Sequence, residues 1–271
     1  MVDLSELAGY QLKFDEQTAG ISFQRGMRMP GYSTRELDDL RPVLLDADAD
    51  GPEVIYWMYR DCGRLEDAAL GAAHSLRYDL TAFRAVTLGR EFMKTSGHYH
   101  PQIPGRREAY PEVYEVLYGE ALYVMQAVDD PAASPVETVV EDVIMCRVSA
   151  GQKIIMPAGY GHATVNTQDK PLLVSNWVSN RFSSFYGPVE DTRGFAWYVV
   201  DDGGEPGYVT NANYRRGIPP VRWAEVQEVP ELGLTWGQPM YQACAEAPAK
   251  FAFLNDPGSY SELMWSNLKL S

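Results

Sequence analysis

From Leu80 to about Val200 the chain is a succession of short apolar runs broken by Gly, Pro and Asp. Runs of that length, interrupted that often, fit strands joined by turns and not βαβ units. The rhythm predicts an all-β antiparallel barrel or sandwich. Val54–Arg60 reads as a strand ended by Gly63, with two more at 80–88 and 90–93, parted by Gly89. Residues 113–118 and 121–126, joined by Gly119-Glu120, read as a β-hairpin, and 129–135 as a loop. Alternation resumes over 139–147, and 151–156 leads into the turn Pro157-Ala158-Gly159.

Outside that block the texture differs. Phe14, Ile21 and Phe23 are candidate strand positions, and 33–40 reads as a capped helix start, with Ser33 and Glu36 at capping-box spacing. Residues 46–52, with three alternating aspartates before Gly51-Pro52, read as a solvated turn. Residues 201–207, DDGGEPG, read as a linker dividing a barrel domain (1–204) from an extension (205–271). In the extension, mild helical character over 241–253 is interrupted by Pro248. Its aromatics Trp236, Tyr241, Phe251, Phe253 and Trp265 call for packing on the barrel or on a partner subunit.

A chain of 271 residues can bury a substantial core. Its net charge of −14 argues against nucleic-acid binding, which needs a basic footprint. An acidic protein that handles an anion must gather positive charge locally, from a metal, arginines or backbone amides. Cys62, Cys146 and Cys244 are odd in number and widely spaced, which favours reduced thiols in the cytoplasm over a disulfide framework. The N-terminal residues lack the basic and apolar regions of a signal peptide, and no run approaches the roughly 18 apolar residues of a membrane span. The expectation is a cytoplasmic protein with no membrane partner.

Three of the four histidines fall between Gly97 and Asn166. His98 and His100, one residue apart on an extended strand, share a face, while Tyr99 points the other way. A carboxylate from the next strand and a third imidazole would complete three neutral nitrogens and one hard oxygen. That set suits Fe, Mn, Co, Ni or Zn as divalent ions, with positions open for substrate. His74 has no such company and reads as an ordinary surface or core residue.

Two signatures here resemble those of the cupins. One runs Gly97-His98-Tyr99-His100 to Glu112 and Gly119; the other runs Gly151, Pro157-Ala158-Gly159, His162 and Asn166. Eleven residues, Pro101 to Pro111, separate His100 from Glu112, longer than in most cupins. The resemblance implies a cupin jelly-roll β-barrel. It also prefers Glu112 over Glu115 as the acidic ligand, in agreement with period 2, which lets only one of the two face inward. Within the cupins, residues 89–100, Glu112-Val113-Tyr114, Gln126, Val54-Ile55-Tyr56 and Phe185-Tyr186-Gly187 are similar to the cupin-type glucose-6-phosphate isomerases.

That resemblance implies interconversion of glucose 6-phosphate and fructose 6-phosphate, a step of glycolysis and gluconeogenesis. It implies one divalent metal per subunit, Fe2+ first and Mn2+, Ni2+ or Zn2+ as alternatives, held by His98, His100, Glu112 and His162. Thr95 and Gly97 match positions that hold the sugar phosphate, and Tyr56, Tyr114 and Tyr186 match residues lining the pocket. Glu112 and Tyr114 are the expected catalytic pair, acting through an enediolate, and a homodimer is the expected assembly. Two positions depart from the family: Ser96 stands where archaeal members carry a lysine, and Ser184 where they carry a pocket histidine. Alternatives with the same ligands are a dioxygenase, another sugar isomerase or epimerase, and a sugar-phosphate-binding protein without turnover.

Overall fold

The structure, a computed structural model, describes residues 1–271. Two sheets face one another. The larger runs Glu205–Thr210, Trp197–Asp202, Glu91–Lys94, Gly161–Asn166, Glu120–Val128, Val140–Ser149, Arg222–Val226, Leu268–Leu270, with Thr87–Leu88 paired to Glu91–Lys94. The six-stranded sheet runs Lys153–Met156, Glu112–Tyr118, Leu172–Ser179, Leu76–Phe83, Val54–Arg60, Gly31–Glu36. This is the expected cupin jelly roll, with a small three-stranded sheet from residues 2–23 outside it.

Glu112–Tyr118 shows why the fold closes as it does. Period 2 sends Tyr114 and Val116 into the barrel interior, where they join Tyr56, Met58, Phe83, Tyr123 and Met125. Val113 and Leu117 point outward, yet they too are buried, among Leu12, Phe14, Tyr78, Trp177, Tyr241, Phe251 and Phe253. A strand apolar on both faces needs cover on both. Here the outer cover comes from the N-terminal strands and the C-terminal segment. The Tyr241 ring stacks on Trp177 at 5.9 Å and meets Tyr78 edge-on at 5.0 Å.

Three sequence expectations are corrected. The stretches around Gly119 are strands, Glu112–Tyr118 and Glu120–Val128, but they do not form a hairpin. At Gly119 (φ +86°) the chain crosses from one sheet to the other, and a Cβ there would lie 3.1 Å from the Pro171 carbonyl oxygen. Residues 31–36 are strand, so the helix begins at Leu37, capped by Glu36 and Asp39 and not by Ser33 and Glu36. Residues 201–207 are no linker: Trp197–Asp202 pairs with Glu205–Thr210 across Gly203-Gly204, both at positive φ, as a tight hairpin turn requires.

Residues beyond that hairpin are built onto the barrel. Arg222–Val226 lies parallel to Val140–Ser149, and Leu268–Leu270 pairs with Arg222–Val226. The helix Met240–Glu246 and the 3-10 segment Pro248–Leu254 bring Tyr241, Phe251 and Phe253 into the outer core. The three cysteines are buried and unpaired. No helix is long and apolar enough to cross a membrane.

Candidate active site

His98 and His162 lie on adjacent backbones, each amide donating to the other's carbonyl, at 3.2 Å and 3.0 Å. Glu112 opens its strand between Met156 and Val178 on the facing sheet. Closure of the barrel therefore brings together residues up to 64 positions apart in the sequence. His98 Nε2 and His100 Nε2 are 3.1 Å apart. Glu112 Oε2 lies 3.1 Å from His162 Nε2, 3.4 Å from His100 Nε2 and 3.9 Å from His98 Nε2. One donor atom from each of the four falls within 4.8 Å of all the others.

This donor set fits a metal ion. Around an ion about 2.1 Å from each ligand, neighbouring donors at right angles lie about 3.0 Å apart. The two 3.1 Å separations match such an edge and the 3.4 Å one is near it, while the 3.9 Å between Glu112 and His98 is wider. The protonation states agree. Burial, reinforced by His162 and His100, pushes the His98 imidazole well below its ordinary pKa. His162 is also lowered by burial, against the opposing pull of Glu112. Burial raises Glu112, but close contact with the His100 and His162 imidazoles outweighs it and holds the carboxyl well below the usual range. Neutral imidazoles beside an ionised carboxylate are what a divalent cation requires.

Neighbouring groups orient these four side chains. His100 Nδ1 lies 2.9 Å from the Tyr110 carbonyl oxygen. A carbonyl can only accept, so Nδ1 carries the hydrogen and Nε2 keeps its lone pair. Asn176 Nδ2 donates to Glu112 Oε1 at 2.6 Å. Tyr114 Oη is 3.3 Å from His162 Nε2, and burial together with the Glu112 charge pushes its phenol well above the ordinary value, so it stays protonated.

His98, His100, Glu112 and Tyr114 line a cavity of about 300 Å³, shared with Tyr56, Thr95, Gly97 and Tyr186; His162 stands behind them, 1% exposed. Thr95, Ser96 and Gly97 all border it, against strict alternation. Gly97 is the reason: at φ +75° it kinks the strand, and a Cβ there would approach the Phe195 ring to 3.0 Å. The Thr95 hydroxyl accepts from the Thr164 amide at 3.0 Å. Tyr56 Oη accepts from Arg35 Nε at 3.3 Å, and the Tyr186 ring centroid is 5.3 Å from that of His98.

Several residues lie elsewhere. Glu115 is fully buried on the outer face, where Lys153 Nζ (2.8 Å) and the Met240 amide (2.9 Å) reach its carboxylate. Gln126 points away from the cluster, donating to the Tyr99 and Tyr214 hydroxyls and accepting from the Ala196 amide. Asn166 ties the end of its strand to the Arg84 and Lys170 carbonyls. Arg106, on the inserted loop, pairs with Asp256 at the surface and does not reach the cavity. Sequence reasoning missed Asn176, Arg60 and Arg77, which border the cavity, and Asp79, which holds the two arginines. Arg60 was within reach, since it shares a strand face with Tyr56.

A family model described as "Glucose-6-phosphate isomerase (GPI)" matches residues 34–216, more than half of the chain and all four clustered residues. Among curated proteins, glucose-6-phosphate isomerase of Thermococcus litoralis is 25% identical over 189 residues, 68% of this chain and 87% of that protein. The enzyme of Pyrococcus abyssi is 25% identical over 204 residues, 72% of this chain and 95% of its own. Among solved structures, hazelnut vicilin aligns with TM-score 0.34 and 17% identity over 51% of this chain and 33% of that one, a likeness too remote to bear on the argument. The extent of the family match settles the matter: the chain belongs to the glucose-6-phosphate isomerase family.

Proposed function

We propose that the protein interconverts glucose 6-phosphate and fructose 6-phosphate at this cavity, with His98, His100, Glu112 and His162 holding one divalent metal per subunit, Fe2+ by preference and Mn2+, Ni2+ or Zn2+ as alternatives. The observation that carries the proposal is the convergence of those four donors at the wall of a cavity inside the family-matched region. A volume of about 300 Å³ sits at the small end of ligand pockets, suited to a compact metabolite. Thr95, Gly97, Tyr56 and Tyr186 border the space the sugar phosphate would occupy.

When bound, the metal supplies Lewis-acid polarisation of the substrate oxygens. Glu112, ionised and fixed through Oε1 by Asn176, takes the proton from C2 of the aldose and returns it to C1, while the hydroxyl proton of O2 passes to O1, through an enediolate. Tyr114 keeps its hydrogen and donates to the oxygen on which charge develops. Neither role needs the histidine that Ser184 replaces.

The test is a coupled assay with glucose 6-phosphate before and after chelation, with metal analysis of the same sample. Solvent tritium entering C1 of the fructose 6-phosphate formed supports the enediolate, and its complete absence favours a hydride shift. Oxygen uptake without isomerisation would reassign the protein among cupin oxygenases. We extend the proposal to a cytoplasmic homodimer. The six-stranded sheet ends in an edge strand, Gly31–Glu36, with Tyr32 exposed, a surface able to meet a second copy; light scattering in solution decides it.

A further inference from the structure

Apart from histidine, the cationic side chains lining the cavity are those of Arg60 and Arg77. Both are held by Asp79. Arg60 Nη1 donates to Oδ2 at 2.7 Å, and Arg77 Nε donates to the same oxygen at 2.9 Å. Asp79 is fully buried and also accepts from the Asp61 amide at 2.9 Å. The arrangement follows from strand register. Pairing of Val54–Arg60 with Leu76–Phe83 sets the end of one strand beside Asp79, and Arg77 precedes Asp79 by two on the same face.

Two guanidiniums share one carboxylate, so this wall keeps a positive charge. Unused donors remain. Neither Nη group of Arg77 makes a hydrogen bond, and Arg60 Nη2 meets only the Met58 sulfur, at 3.0 Å. Each arginine side chain is 36% exposed. In a chain of net charge −14, this is a local reversal of sign, pinned in place by a buried group so that little side-chain freedom is lost on binding. Planar guanidiniums with free N–H groups match the oxygens of a phosphate.

We propose that Arg60 and Arg77 anchor the phosphate of the substrate, as binding and specificity-determining residues of the cavity. The proposal rests on the isomerase reading above for the identity of the anion. A tie between strand ends is the alternative role; it would affect stability and leave anion binding untouched.

The test uses the metal-loaded full chain, inorganic phosphate as probe in calorimetric titration, and steady-state kinetics with glucose 6-phosphate. Arg60→Ala and Arg77→Ala are each expected to weaken phosphate binding and raise KM at least about ten-fold, with smaller changes in kcat, and Arg77→Lys to recover part of the loss. Thermal midpoints are recorded for every variant, and Arg77→Lys serves where an alanine variant fails to fold. Unchanged phosphate binding and KM in folded Arg variants overturn the assignment while leaving isomerisation intact. So does loss of phosphate binding in Thr95→Ala when both arginine variants retain it. Wild-type protein that binds phosphate through Arg60 and Arg77 but does not isomerise would uphold the anion site and remove the isomerase reading. Wild type that binds no phosphate at millimolar concentration ends the proposal.

Discussion

Asn176 donates a 2.6 Å hydrogen bond to Glu112 Oε1 from the neighbouring strand, which leaves Oε2 facing His162 and His100 at 3.1 and 3.4 Å. One amide thus decides which carboxylate oxygen serves the cluster. Asn176→Ala is expected to lower metal affinity and kcat by about ten-fold or more, the usual penalty for losing a group that orients a ligand. Asn176→Asp, which sets a second carboxylate against Glu112, should be worse. Metal titration of the apoprotein and steady-state kinetics check both.

Replacing His98 or His162 by Ala should remove bound metal and cut turnover by more than the roughly 10–100-fold of an orienting residue. Elemental analysis of the purified variants reads the first effect and the coupled assay the second. A His98→Ala variant that keeps full activity after chelation would end the metal assignment.

Glu115 and Lys153 form an ion pair with both side chains wholly buried. Burial raises the Glu115 carboxyl to about 7, against the opposing attraction of Lys153. The folded state therefore holds this proton more tightly than the unfolded chain does. The sign follows: the group's stabilising contribution is complete below about pH 4.5 and is lost as pH rises through about 7. Stability of wild type relative to Glu115→Gln should accordingly fall between those pH values. Urea midpoints of the two proteins across pH 4.5–8 measure it, and a difference that does not vary with pH would refute it.

Phe251 is completely buried, with its ring 6.0 Å from Phe253 and 6.3 Å from Trp177. Phe251→Ala should cost about 3–5 kcal/mol of folding stability, the range for emptying an aromatic site in a core. The Glu112 cluster is on the opposite face of the same sheet, so kcat of the folded fraction should change far less than the denaturation midpoint. Chemical denaturation and kinetics at low temperature separate the two.

Much of the site was legible because its chemistry is written in short spacings. His98-x-His100 needs only the period of a strand to put two nitrogens on one face, and the longer loop Pro101–Pro111 changes nothing about that. Strand positions were legible for the same reason. Pairing was not: Glu112–Tyr118 and Glu120–Val128 look like a hairpin because local alternation says nothing about which neighbour a strand selects. The choice is made by burial on both faces, which draws the first to one sheet and the second to the other. Asn176 and Arg77 were illegible because their meaning depends on strands distant in sequence, whereas Arg60 could have been read from the face it shares with Tyr56. A lone arginine on an alternating strand looks solvated until register sets Asp79 beside it. The glycine-rich turn at 203–204 shows the reverse error, since the residues that loosen a linker also tighten a hairpin.

The outer face of the six-stranded sheet is sealed by Tyr241, Phe251 and Phe253, all of which follow every candidate ligand in the chain. On the ribosome, the strands bearing His98, Glu112 and His162 emerge while Tyr78 and Trp177 still await their cover. The nascent barrel must pass through an interval in which its sticky flank is open to other chains. A chain that stops before residue 240 leaves Tyr78 and Trp177 without that cover, and is expected to aggregate more readily than the full chain.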